Sequence, residues 1–299
     1  MIKADNLVKN FKNVKAVDGV SINVDGGQIF GLLGPNAAGK TTLIRMLCGI
    51  IKADSGSIQI AQTSVDKAKQ NFGYVAQYFG QYEELSVWEN LNFYARMYGV
   101  QDEVLLQQLL DRYELDGFRD QKAGALSGGY QRRLALACAL AHDPIVLFLD
   151  EPTAGIDPVT RKLLWDDFYQ LSSQGKTLFV TTHYMEEAQR CQQLAFMASG
   201  RLIATGTPES IKNALGEAKV FVASVPYDPN LHRQLRALDG ISLVNQFGAE
   251  LRVVSEPGLD VSLIADTIAN AKGSSVPLVA CEPNLEDVFI ALTQEEQAA

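Results

Sequence analysis

The chain has 299 residues, 47% hydrophobic and 20% charged, an ordinary balance for a globular protein with one large core and a satellite. Its net charge of −9 argues against nucleic acid as a partner, because a polyanion wants a basic face. The longest apolar runs, residues 134–141 and 145–149, fall far short of the roughly 18 residues of a spanning helix, and the opening MIKADNLVKNF lacks the layout of a secretory signal, so a cytosolic chain, or one held at a membrane by a partner, is expected.

Short apolar strands alternate with amphipathic helical stretches, a pattern that predicts an α/β fold with a mainly parallel central sheet. Residues 2–7 and 21–24 read as an N-terminal antiparallel β layer. Strand candidates follow at 28–33, 56–60 and 72–75. Residues 85–125 carry helical periodicity (Leu91, Tyr94, Ala95, Tyr98; Leu105, Leu109, Leu110), and with the next helix they form a helical insert over about 85–142. Strands at 145–149, 177–181, 193–197 and 201–204 complete the set. After residue 217 the pattern changes to a strand at 220–225, a helix at 230–238, a strand at 251–254 and a helix at 261–270. The charge changes there as well: residues 218–299 carry 5 Lys/Arg against 11 Asp/Glu, whereas residues 1–217 carry 21 against 24. Two domains are therefore expected, 1–217 and a small α+β domain over 218–299. Cys48, Cys138, Cys191 and Cys281 show no Cys-x-x-Cys spacing and read as buried reduced thiols.

The strand at 28–33 runs into GPNAAGKTTLIRMLCG, which fits Gly-x-x-x-x-Gly-Lys-Thr between a strand and a helix. Across Gly34, Pro35, Asn36, Ala37, Ala38 and Gly39, backbone N–H groups can curl around phosphate oxygens, and the helix that follows aims its positive end at them. Lys40 would reach the β- and γ-phosphates of ATP, Thr41 would ligate Mg²⁺ and Thr42 would bond the α-phosphate. Only about 0.01 such matches are expected by chance in a chain of this composition. Farther on, the five apolar residues 145–149 suit a central parallel strand buried on both faces, and Asp150 and Glu151 follow. Carboxylates at that end of a strand lie at the crevice where open α/β sheets bind ligands. There Asp150 can hold the Mg²⁺ shell while Glu151 acts as general base on the attacking water.

Those two motifs fit many nucleotide enzymes, kinases included. The segment Leu126-Ser127-Gly128-Gly129-Tyr130-Gln131 narrows the choice. Ser127 makes a good helix N-cap, and Gly128 and Gly129 expose backbone donors at the start of a helix over 130–141, a second anion-binding end. With it, over residues 2 to about 215 and in the right motif order, the chain resembles the ATP-binding subunits of ABC transporters. The resemblance implies a P-loop NTPase fold and a head-to-tail dimer, in which Ser127, Gly128 and Gly129 dock on the γ-phosphate held by the other subunit. It implies that Gln77 senses Mg²⁺ and the membrane partner, that Ala154-Gly155-Ile156-Asp157 crosses the dimer interface, that His183 contacts the γ-phosphate, and that Phe11 stacks on adenine. Lys40, Gln77, Glu151 and His183 are then the catalytic set, and Thr41, Gln77 and Asp150 the metal set. His142 and His232 lack such context and read as structural. One position departs from the pattern: Ala37 stands where Gly is common, and its methyl group restricts the backbone.

The tail Glu282-Pro-Asn-Leu-Glu-Asp-Val-Phe-Ile-Ala-Leu-Thr293 resembles the short accessory domain of exporter-type subunits, among them drug-resistance ATPases and bacterial subunits with two fused ATPase halves. The implied protein is the energy subunit of an exporter at the cytoplasmic face of the membrane. Transmembrane permease subunits would come from other chains, and the second ATP-binding domain from a homodimer partner or a fused tandem half. The alternative, a soluble ABC-family ATPase acting on ribosomes or DNA, calls for two ATPase modules, a long coiled coil or zinc-binding cysteines, and none is visible. A P-loop kinase is opposed by residues 126–130, Gln77 and His183.

Overall fold

Strand β1 (Ile2–Phe11) turns back on β2 (Val14–Val24), and β3 (Ile29–Leu33) then runs through the phosphate loop into α1 (Lys40–Leu47). Next come β4 (Ser55–Ile60), β5 (Thr63–Ser64), α2 (Val65–Ala68) and β6 (Phe72–Val75). The expected antiparallel layer is present as a four-stranded sheet of order β2-β1-β4-β5. The insert holds α3 (Val87–Met97), α4 (Glu103–Arg112) and α5 (Gly128–Leu140). Local sequence sets these starts: Ser86 and Glu89 form a reciprocal capping box at α3, and Asp102 caps α4. After it come β7 (Val146–Asp150), α6 (Pro158–Ser173), β8 (Thr177–Thr182), α7 (Met185–Ala188), β9 (Gln193–Ala198) and β10 (Arg201–Gly206).

The central sheet has the order β10-β9-β3-β8-β7-β6, and the five strands from β9 to β6 pair in parallel. Strands β3, β7 and β8 are buried at every residue, which is why they read as unbroken apolar runs. In register, Phe30, Phe179 and Phe148 stand side by side across β3, β8 and β7, with ring centroids 5.2 and 5.9 Å apart. They meet Leu43, Ile44 and Leu47 of α1 and the inner residues of the antiparallel layer in one core. That core fixes the end of β3, and with it the loop before α1.

The structure, a computed structural model, describes residues 1–298; Ala299, the last residue of the expected tail domain, lies outside them. The chain divides into two compact units, Met1–Thr205 and Gly206–Ala299, upstream of the composition break near 217. The second unit holds α8 (Pro208–Lys212), β11 (Lys219–Ser224), α9 (Pro229–Arg236), β12 (Ile241–Phe247), β13 (Glu250–Ser255), α10 (Val261–Lys272), β14 (Leu278–Cys281) and α11 (Leu285–Ala298). Its antiparallel sheet runs β12-β13-β11-β14. One face packs on Leu231, Leu235, Ile264 and Ile268 of α9 and α10, and the other on Leu215, Ala218 and Ile290. Cys48, Cys138 and Cys191 are buried free thiols as expected, whereas Cys281, on the edge strand β14, is only half-buried.

Candidate active site

The loop between β3 and α1 lies close against its surroundings at two glycines. A Cβ on Gly34 would meet the Met197 carbonyl oxygen at 2.3 Å, and one on Gly39, at φ 107°, would meet that of Ala16 at 2.2 Å. Only glycine fits either position. Gly39 serves as N-cap of α1 without a side-chain capping bond, so the first N–H groups of the helix have no protein acceptor there. Residues 36–42 line a cavity of about 590 Å³ together with Val14, Lys15, Ala16, Gln77, Tyr78 and Glu151. Ala37 holds φ 65°, a left-handed backbone that suits the glycine common at this position.

Lys40 is buried at 4% exposure, and its Nζ donates to the carbonyls of Gly34 at 2.8 Å and Pro35 at 3.1 Å. It also pairs with Glu151 Oε1 at 3.2 Å. Strand β7 extends one residue beyond the expected apolar run and ends on Asp150, which is fully buried. Asp150 Oδ1 accepts from Thr181 Oγ1 at 2.7 Å and from Thr41 Oγ1 at 3.4 Å, while its Oδ2 has no protein partner. Burial pushes the Asp150 carboxyl above its usual range, and the two hydroxyl bonds oppose that shift. Glu151 stands at φ 48°, unusual for a residue with a side chain, and its N–H donates to Thr181 Oγ1 at 2.9 Å. Its Oε2 accepts from Gln77 Nε2 at 3.1 Å and lies 3.3 Å from His183 Nδ1. Five residues expected from separate segments, Lys40, Gln77, Asp150, Glu151 and His183, thus converge at the ends of β3, β6, β7 and β8.

Three expected elements stand elsewhere. Ser127, Gly128 and Gly129 open α5 but do not line the cavity that Lys40 lines. A Cβ on Gly128 would meet nothing, one on Gly129 only a Thr160 methyl at 3.8 Å, and neither residue has a positive φ. Nothing among the described residues demands glycine there. Phe11 ends β1, is 47% exposed, and also lies outside the cavity lining. Gly155 holds φ 74° in open space, and Asp157 caps α6 through the N–H groups of Val159 and Thr160. His142 stacks on Tyr98 at 3.7 Å and does not line this cavity, and His232, in the second unit, bonds Gln246.

Residues 17–154 match the family described as ABC transporter. The chain is 38% identical to the Nod factor export ATP-binding protein I of Burkholderia lata, over 97% of its own length and 96% of that protein. It belongs to the ATP-binding subunits of ABC transporters, a family of ATPases. A second relative, the probable multidrug ABC transporter ATP-binding protein of Escherichia coli, is 40% identical over 71% of this chain, which spans only 38% of that longer protein. Among solved structures, an ATP-binding subunit of an ABC transporter superposes with a TM-score of 0.67 at 25% identity, covering 72% of this chain and 93% of that one. A dimeric ATP-binding cassette in a post-hydrolysis state, bound to ADP and Pi, gives 0.66 at 25% identity over 69% and 98%.

Two residues of this ABC subunit escaped sequence reasoning. Arg132, on α5, donates to the carbonyls of Ala76 at 2.7 Å and Gln77 at 2.8 Å, tying the helix that Ser127 opens to the backbone of Gln77. Burial lowers its pKa, and the nearby Asp150 and Glu151 carboxylates work against that. Glu187, the first long side chain of α7 to turn inward, is buried at 1% exposure. Neither has a local signal beyond its distance from a motif: the Arg132 partners lie 56 and 55 residues away and one Glu187 partner, Thr153, lies 34 residues away.

Proposed function

We propose that this chain is the energy subunit of a membrane exporter, binding ATP with Mg²⁺ at residues 34–42 and hydrolysing it in a head-to-tail dimer. The observation that carries the reading is the convergence of Lys40, Thr41, Gln77, Asp150, Glu151 and His183, combined with the separate position of Ser127 and Gly128, both exposed, and the half-buried Gly129, whose glycines no contact among the described residues explains. Phosphate oxygens would take the α1 N–H groups and compete for the Lys40 ammonium. That releases Glu151 from its ion pair and leaves it to accept a proton from the attacking water. Asp150 fits a hard cation: its buried Oδ2 has no protein partner and the Thr41 hydroxyl is adjacent. Thr41, Asp150 and the amide oxygen of Gln77 would hold Mg²⁺, which supplies charge neutralisation between the β- and γ-phosphates. Phe11 remains the residue proposed to stack on adenine, its exposed ring ending the strand beside the cavity-lining Val14.

Residues 1–217 form the ATP-binding domain in this reading, and residues 218–299 the accessory domain. No helix among the described residues is long and apolar enough to cross a membrane. Permease subunits would therefore hold the chain at the cytoplasmic face, and the exposed aromatic rings of Tyr78, Tyr82, Phe93 and Tyr98 with Met97 offer them a surface. The likeness to the Nod factor export ATP-binding protein I of Burkholderia lata supports export as the direction of transport. The test is a pair of variants. Glu151→Gln is expected to bind ATP normally while turnover falls by about 10²–10⁴-fold, and Lys40→Ala to lose ATP affinity, with a lowered melting temperature because the buried Glu151 carboxylate loses its ion-pair partner. Near-normal turnover in Glu151→Gln, or unchanged affinity in Lys40→Ala, would contradict the assignment.

A further inference from the structure

The loops after β7 and β8 share a buried carboxylate that the chemistry above does not use. Glu187 Oε1 accepts from Thr153 Oγ1 at 2.5 Å, and its Oε2 accepts from Thr182 Oγ1 at 2.7 Å. All three residues are at most 2% exposed. Thr153 follows Glu151 by two positions and opens onto residues 154–157, and Thr182 immediately precedes His183. The Thr182 hydroxyl in turn accepts from the Tyr184 N–H at 3.0 Å, so the backbone on both sides of His183 hangs from one oxygen. Arg161 Nε lies 3.6 Å from Glu187 Oε1, and its guanidinium covers the Tyr184 ring at 4.5 Å, which balances the buried charge and closes the cluster from α6.

We propose that Glu187 is a positioning residue for hydrolysis, joining His183 to the 154–157 segment so that the two loops move as one body. The inference rests on the reading of Glu151 and His183 as serving the γ-phosphate. A charged acceptor bonded by two hydroxyls at 2.5 and 2.7 Å holds both loops more stiffly than neutral bonds would. Its place is not at the reacting atoms. The ATP cradle around Lys40 makes no contact with it, so its loss bears on orientation and not on nucleotide affinity. A displacement of about 1 Å at a catalytic group costs on the order of 10²-fold in rate.

The experiment uses the full chain and reads steady-state turnover and ATP affinity separately. His183→Ala comes first: wild-type turnover in that variant removes the reading on which the inference stands, whatever Glu187 does. With turnover lost there, Glu187→Ala is expected to lower kcat by about 10–100-fold while ATP affinity stays within about threefold. Thr153→Val and Thr182→Val each delete one hydroxyl and should each produce part of the loss. Neither should lower kcat by more than about twofold further in the Glu187→Ala background, because they act through the same carboxylate. Turnover within about twofold of wild type in Glu187→Ala, an equal fall in affinity and kcat, or multiplicative losses with the threonine variants would each overturn the proposal. If Glu187→Ala fails to fold, the double Thr153→Val, Thr182→Val variant carries the test, and wild-type kcat there overturns it.

Discussion

Ala37 carries a methyl group at φ 65° on the exposed turn of the phosphate loop, where an L-residue is disfavoured by roughly 1–2 kcal/mol. Ala37→Gly removes that strain but adds chain entropy of about 0.5–1 kcal/mol to the unfolded state. The net expectation is a rise in melting temperature of about 1–3 °C, and a fall on thermal melting would show that the loop does not hold this backbone. Glu151, at φ 48°, bears comparable strain, and the Thr181 hydroxyl bonded to its N–H helps to hold it there. The residues legible in the sequence, Lys40, Thr41, Asp150 and Glu151, belong to contiguous motifs whose chemistry is local. Arg132 and Glu187 were not: Arg132 bonds backbone carbonyls 56 and 55 residues away, and Glu187 joins the nearby Thr182 hydroxyl to that of Thr153, 34 residues away. Strand order brings these distant partners together.

The inner strands β3, β7 and β8 of the central sheet were readable because burial on both faces leaves continuous apolar runs. The second unit was less so. Strand β12, ISLVNQF, is interrupted by Ser242, Asn245 and Gln246, and β14 is a four-residue edge strand with half its residues exposed, so neither stood out as β11, with its unbroken apolar run 220–223, did. The tail motif around residues 282–293 has a structural explanation. Asn284 Oδ1 accepts from the Asp287 N–H at 2.8 Å and Asp287 Oδ2 from the Asn284 N–H at 3.0 Å, a reciprocal cap at the start of α11. Asp287, fully buried, also takes both Nε and Nη2 of Arg252 from β13 at 2.6–3.2 Å. Asp287→Asn leaves that guanidinium without its charge partner, and chemical denaturation should show the second unit destabilised by about 3 kcal/mol. A change under about 1 kcal/mol would mean that the pair merely decorates the helix end.

At the scale of the whole molecule, the two helix ends proposed to bind phosphate stand apart within one chain: α1 opens onto the cavity of Lys40, and α5 opens at Ser127 outside it. A two-fold pair of chains would place Lys40 of one subunit opposite Ser127 of the partner subunit and make two composite sites. The −9 charge opposes association without nucleotide, so in this proposal ATP would be the bridge and hydrolysis the release. The mass of the Glu151→Gln chain in sedimentation, with and without MgATP, tests this most directly, since ATP can bind there but is not consumed. The account predicts a monomer alone, a dimer with MgATP, and a monomer again when Ser127→Arg is added even though ATP remains bound. A chain that stays monomeric with ATP bound, or a dimer that Ser127→Arg leaves intact, would contradict it.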